Sequence, residues 1–398
     1  MQIGEVASFQ NGYAFKSKDF VQDGKYKIIK IKELKDGKVR FFNDSASVNV
    51  DDERIIEKYI VEKGDVLFAL TGDPVNKNNP LSWVGRVSVY EDDQLALLNQ
   101  RVCKLVPKEE LNAKYIYYYF RAFNNFYALA SIAKGSASQA NISTKDIEAM
   151  EIALPSLNIQ NKIVSLLDSI EEKISQNNKI NKNLEQQAKA IFSNKFLTLE
   201  TLPDSWKQAS LIDIANYLNG LAMQKYRPTA DESGIPVLKI KELRQGCCDD
   251  NSELCSPNIK SDYIIHDGDV IFSWSGSLLV DFWCGGICGL NQHLFKVTSN
   301  KYDKWFYYAW TKHHLDRFIA VAADKATTMG HIKRDELSKA EVLIPNEADY
   351  NRIGAVLQPL CDLIIANRIE NKKLAEIRDT LLPKLMSGEI DISEVDYE

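Results

Sequence analysis

Five cysteines, Cys247, Cys248, Cys255, Cys284 and Cys288, lie near His293 along the chain, and thiolate with imidazole is the usual ligand set of zinc. Their spacing holds no CxxC pair, so ordinary thiols are expected and no metal. Seven cysteines in all, an odd number at scattered spacing, fit a reducing compartment better than a disulfide framework. Carboxylates that could hold a catalytic metal are as scarce. Glu171 and Glu172 stand beside Lys173 in a helical stretch, where solvent charge pairs are the expected role. An adenine methyltransferase would need a Gly-rich cofactor loop and an Asn/Asp-Pro-Pro-aromatic motif to grip an extruded base. The nearest approach is NNPLSW at 78–83, with one proline and no aromatic directly after it. No Walker loop is present. The chain is read as non-catalytic, with neither cofactor nor metal.

What, then, must the rest of the chain position? Its 398 residues allow two or three domains, and 45% hydrophobic with 26% charged residues is a globular balance. No apolar run approaches the roughly 20 residues that span a bilayer, and the N-terminal residues lack a signal-peptide pattern, so no membrane partner and a cytoplasmic location are expected. The net charge of -6 speaks against nucleic acid if taken whole. Residues 1–155 hold 21 basic and 21 acidic side chains, however, whereas 346–398 hold 6 and 11. The excess acid sits at the C-terminal end, which leaves room for a basic face elsewhere.

The chain is written twice. IIKIKEL (28–34), KGDVLFALTG (63–72), LLNQRVCKL (97–105) and IEAMEIALPSL (147–157) are answered in order by VLKIKEL (237–243), DGDVIFSWSG (267–276), GLNQHLFKV (289–297) and LSKAEVLIPNE (337–347). The offset drifts from 209 to 204, 192 and 190, so the copies share a scaffold and differ in their loops. The repeated blocks read as strands, which would put Lys30, Lys32, Lys239 and Lys241 on one face, solvated or touching phosphate. Aromatic-rich helices follow at 115–130 and 304–321, with core packing the favoured role of their rings.

After each module comes a long helix. Ile163, Leu167, Ile170, Ile174, Asn177, Asn181 and Leu184 fall at alternating steps of four and three, the seam of a coiled coil. Ile353, Leu357, Leu360, Ile364, Asn367, Asn371 and Leu374 repeat the pattern 190 residues on. Asparagine at a seam weakens it but disfavours every register in which it lacks a partner. An antiparallel pair would set Asn177 against Asn367, or, slipped by four residues, Asn177 against Asn371 and Asn181 against Asn367. Pro359 predicts a kink or a late start in the second helix. The expected architecture is α+β: two α/β modules (1–155 and 200–345) related by an internal pseudo-twofold repeat, separated by two long antiparallel coiled-coil helices (156–199 and 346–398). The span from Ile163 to Ile191 is about 42 Å at 1.5 Å per residue, a little over one turn of B-DNA at about 34 Å.

LPSLNIQNKIVSLLDSIEEKI after the first module, IRDTLLPKLMSGEID near the end, and the NGYAF, GDV, GSASQANIS and ALP blocks together resemble the specificity (S) subunit of type I restriction-modification systems, over essentially the whole chain. The first copy lacks the LPDSW that precedes the second at 202–206, which reads as a trimmed edge. The resemblance implies two target recognition domains, each reading one half of a bipartite site on double-stranded DNA. It also implies helices that set the spacer and dock two methyltransferase (M) subunits, with restriction (R) subunits joining. Adenine methylation or cleavage would be carried out by those partners. Beside the rival class of a self-contained methyltransferase or nuclease stands a third, a coiled-coil scaffold that binds no DNA, and it gives no reason for the loops to diverge.

Polar side chains on short stems in Gly-bearing loops can approach base edges and phosphates. Lys134, Ser136, Ser138, Gln139 and Asn141 form such a loop in the first copy, and Arg101 could address guanine. Lys325, Thr327, Thr328, His331 and Lys333 are their candidate counterparts. Thr71 and Gly72, with Ser275, Gly276 and Ser277 in the second copy, are expected at the DNA backbone. The Asn-Gln pairs at 99–100 and 291–292, identical in both copies, fit a structural or phosphate role.

Overall fold

The computed structural model describes residues 1–77, 79–136, 138–324, 332 and 334–394. It divides into two compact units, Met1–Glu171 with Glu376–Glu398, and Glu172–Ala375.

In the first unit a six-stranded sheet runs in the order Ala7–Asn11, Val102–Pro107, Val66–Ala69, Val87–Val89, Lys38–Val39, Leu34–Lys35. A second sheet carries Tyr26–Ile29 parallel to Ala96–Leu98. Val66–Ala69 is buried throughout. Its two-residue period sends Val66 and Phe68 into one apolar cluster and Leu67 and Ala69 into another. The second unit repeats both devices: Ile235–Leu238 pairs parallel with Cys288–Leu290, and Val270–Ser273 divides Val270 and Phe272 from Ile271 in the same way.

The aromatic helices pack as expected for most of their rings. Tyr115 and Phe120 of Ala113–Arg121 and Trp305, Phe306 and Trp310 of Lys304–His313 are buried, each such ring contributing about 1.5–3 kcal/mol by leaving water. Phe123 and Tyr127, on the following helix Phe123–Ser131, are instead exposed.

The Ile-Lys-Glu stretches at 31–33 and 240–242 are not strands. The strands stop at Ile29 and Leu238, and the chain turns into the short helices Ile31–Glu33 and Ile240–Gln245. Glu33 and Glu242 turn it: each carboxylate accepts from the backbone N–H three residues earlier, at Lys30 (3.0 Å) and Lys239 (3.2 Å). The lysines are therefore not aligned by strand alternation.

The long helices span Leu157–Phe192 and Glu347–Ser387. The second is unbroken across Pro359 and begins well before it, so no late start occurs. Pro359 and Ala355, whose carbonyl loses its partner, are both exposed, and water can satisfy that carbonyl, while Leu357 and Ile364 hold the buried side. In the second unit the two helices run antiparallel. Asn177 Nδ2 donates to Asn371 Oδ1 (2.9 Å) and to Glu370 Oε2 (2.7 Å), and Asn367 Nδ2 donates to Asn181 Oδ1 (2.8 Å). This is the slipped register; the alternative that sets Asn177 against Asn367 is not adopted. Three of the four asparagines are buried, all but Asn371. A buried amide left unpaired would cost about 1–3 kcal/mol, so the ladder penalises any other alignment. Leu184, Ile353, Leu357 and Ile364 are buried with them, while Leu360, Ile174 and Leu374 are half-buried. In the first unit Ile163 and Leu167 share a cluster with Leu382, Leu385 and Met386, Ile170 is also buried, and Arg378 Nη1 donates to Glu171 Oε1 at 2.8 Å. Glu171 thus serves the helix pairing.

Candidate nucleic-acid interface

Each copy builds one turn in the same way. Asn99 and Asn291 are buried, and their side-chain oxygens accept from the N–H of Arg101 (3.4 Å) and His293 (3.3 Å). The backbone N–H of Asn99 donates to Ile29 O, and that of Asn291 to Leu238 O. Gly12 and Gly220 cross this turn so closely that a Cβ would lie 2.2 Å from Asn99 O or Asn291 O. Only glycine fits there. The repeated asparagines are thus structural, and they hold the residue two positions on at the surface: Arg101 exposed, His293 half-buried.

A second repeat joins that turn to the divergent loops. In the first copy Leu70 N–H donates to Arg101 O (2.9 Å) and Ile142 N–H donates to Leu70 O (3.0 Å). In the second, Trp274 N–H donates to His293 O (3.4 Å) and Ile332 N–H to Trp274 O (3.1 Å). One hydrogen-bonded rung therefore aligns the turn, the residue after the GDV strand, and the end of the variable loop. Three places where the copies differ, Arg101 against His293, Leu70 against Trp274 and the loops ending at Ile142 and Ile332, are thus adjacent on a shared backbone.

The first loop is a β-hairpin, Lys134–Ser136 paired with Gln139–Asn141. Lys134, Ser136, Ser138, Gln139 and Asn141 are exposed along it, with Ala140 buried as its anchor. Thr71 is buried and donates to Asn141 Oδ1 (2.8 Å), so it positions the hairpin from beneath. Gly72 pairs with Ala140, and a Cβ there would sit 2.6 Å from Val84 N. In the second copy Ser275 is buried, Ser277 is exposed, and Gly276 takes a left-handed φ of 65°. Lys325, Thr327, Thr328, His331 and Lys333 lie outside the described residues.

A duplicated buried glutamate was not anticipated. Glu33 also accepts from Ser45 Oγ (2.7 Å), and Glu242 from Ser252 Oγ (3.3 Å). Each ties the turn bearing the IKEL lysines to the following loop. Identity of the IKEL blocks was the available signal. Those lysines are engaged: Lys32 pairs with Asp44 (2.8 Å), Lys241 with Asp249 (3.1 Å), and Lys239 with Glu253, which also meets Arg227 (3.1 Å). Hydrogen bonds from Lys239 and Lys241 hold the carboxyls of Glu253 and Asp249 below the usual range. Burial pulls the Lys30 ammonium below the ordinary lysine value, against the pull of Glu33. Beside Lys239, Lys241 and Arg227 a cavity of about 460 Å³ opens onto Gln292 and His293.

All seven cysteines carry free thiols, five of them buried. Among the described residues no group of three or more His, Cys, Asp or Glu is placed to hold a metal, and no helix is long and apolar enough to cross a membrane.

The chain is thus a duplicated α/β module with two long helices, its copies sharing a rung and differing in the side chains along it. The chain belongs to the family of the type I restriction modification DNA specificity domain, whose model matches it twice, over residues 1–186 and 203–379. It is similar to the MjaIX specificity subunit of Methanocaldococcus jannaschii, 26% identical over 322 residues, which cover 75% of this chain and 73% of that one. The EcoBI specificity subunit of Escherichia coli is 23% identical over 53% of this chain and 44% of its own length. The crystal structure of a type I restriction-modification S subunit from M. genitalium shares the fold, with a TM-score of 0.61 at 17% identity over 99% of this chain and 96% of that one.

Proposed function

We propose that each module, 1–155 and 200–345, reads one half of a bipartite site on double-stranded DNA. The helical segments 156–199 and 346–398 set the distance between half-sites and dock two methyltransferase subunits, and restriction subunits complete the nuclease. The chain itself carries no catalytic group; adenine methylation or cleavage belongs to the partners. One observation carries the reading: the shared rung presents different side chains from identical supports, which is what two readers of two different half-sites require. A scaffold indifferent to DNA would have no use for that pattern.

The test is long-read detection of modified adenines in cells carrying this chain with its partner methyltransferase. A split motif with a fixed gap supports the reading; an uninterrupted motif, or no motif dependent on this chain, overturns it. Removing four residues within 175–182 shortens the helix by about 6 Å, near two base-pair steps. The gap should then shrink while both half-site sequences stay unchanged.

A further inference from the structure

We propose that His293 is a base-reading residue of the second module, holding there the place that Arg101 holds in the first. The inference rests on the two-module reading above and adds a residue to it.

Three observations converge on this position. The turn is identical in build: a buried asparagine accepts from the N–H of Arg101 in one copy and of His293 in the other, and a glycine without room for a Cβ crosses it in both. Backbone that is copied this closely delivers the two side chains to equivalent places. The carbonyl of each then takes the rung hydrogen bond that leads to the end of the variable loop, at Ile142 or Ile332. Whatever the loop meets, the turn residue meets beside it. Finally, the preceding glutamine is kept while this residue changes. A fixed neighbour with a variable partner is the pattern of a common contact next to a discriminating one.

Their chemistry differs as discrimination demands. A guanidinium fork offers only donors and suits the paired acceptors of guanine. An imidazole offers one donor and, when neutral, one acceptor. Gln292 Nε2 lies 3.3 Å from His293 Nε2, so amide and ring can act as one polar edge, and the Trp274 ring stands 6.2 Å away as its apolar wall. Arg227, Lys239 and Lys241 line the same cavity together with Glu253, and a phosphate of the duplex would have to exchange with the carboxylates of Glu253 and Asp249 to meet them.

The experiment assembles the chain with its methyltransferase subunits and presents duplexes in which each position of each half-site is varied singly. In His293→Ala and His293→Arg, base preference at one or more positions of one half-site should change by about tenfold. The other half-site, which Arg101→Ala alters, should keep its preferences. Unchanged preferences in both His293 variants, with assembly and melting as in the parent, overturn the proposal. Equal losses at both half-sites overturn it too, because the side chain then acts through the fold. A variant that fails to assemble is replaced by His293→Asn, scored by the same outcomes. If the parent complex prefers an uninterrupted target, the two-module reading has failed instead, which keeps the two failures apart.

Discussion

The two modules agree in the turns that carry their supports and differ in the side chains those turns present. Gly12 and Gly220, Asn99 and Asn291, Glu33 and Glu242 and the parallel strand pairs occupy matching places. Arg101 in the first copy corresponds to His293 in the second, Leu70 to Trp274, and the Lys134–Ser136 hairpin to a different sequence. Histidine use divides the copies as sharply, since His266, His293, His313, His314 and His331 all lie in the second. The contrast teaches that packing constraints and recognition constraints act on separate residues here. Close-packed turns tolerate no change, while the side chains they present are free to vary.

The strongest way to break this comparison is to damage one support and watch both modules. Gly12→Ala would put a Cβ 2.2 Å from Asn99 O, with an expected cost on the order of 3 kcal/mol or more. Calorimetry should show a lower transition for the first unit and an unchanged one for the second; Gly220→Ala should do the reverse. Equal shifts in both transitions would mean that the supports are not independent. Next in size is Glu33→Ala, which strands the Lys30 N–H and the Ser45 hydroxyl and should cost about 1–3 kcal/mol. Glu33→Gln, which keeps an acceptor, should recover most of that loss in the same measurement.

Much of this architecture was legible in the sequence, and the reasons are physical. Ordered blocks at drifting offsets reveal a duplicated scaffold, and seam residues at steps of four and three reveal paired helices. The register was not legible, because Asn177 can meet Asn367 or Asn371 with equal chemistry, and only packing along the whole pair selects the second. The IKEL segments misled for a local reason: alternation of Ile and Lys imitates a strand, while a buried glutamate three residues past the first lysine closes a helical turn. Among the candidate site residues, the exposed hairpin positions could be picked from their chemistry. Thr71 could not be recognised as a support, since nothing in its neighbours announces that it lies under Asn141. His293 was legible only as the partner of Arg101 at offset 192.

The helix pairing can be tested in the same spirit. Asn177→Leu alone deprives Asn371 and Glu370 of a donor, and chemical denaturation should show a loss of about 1–2 kcal/mol. Adding Asn371→Leu should restore stability by replacing a polar contact with an apolar one. A coupling energy near zero in the double-mutant cycle would show that the two side chains do not depend on each other.

Acid should separate the modules more gently. Burial draws the His314 imidazole down to about 4, and its Nε2 lies 2.7 Å from Glu341 O. Its folded value is thus below the unfolded one, near 6.5. Between those values the unfolded chain binds the proton and the folded chain does not, so stability falls as pH drops from about 6.5 towards 4 and is fully present above that window. The second unit should lose several degrees of melting temperature over this range. His314→Asn should flatten the slope, and an equal slope in the first unit would contradict the assignment.

The smallest effect is expected from Lys32, Lys239 and Lys241, because each is already paired with a carboxylate. Lys241 can reach a phosphate only by leaving Asp249, so it exchanges one anion for another and gains little net attraction. Lys241→Ala should therefore weaken binding only slightly and uniformly across target sequences, lowering the slope of log affinity against log salt by about 1. Asp249→Asn should act in the opposite sense, freeing the ammonium and tightening binding at low salt. A change of base preference in either variant would move Lys241 from the supports to the readers, and the line drawn between constant framework and variable contacts would have to pass through the IKEL turn.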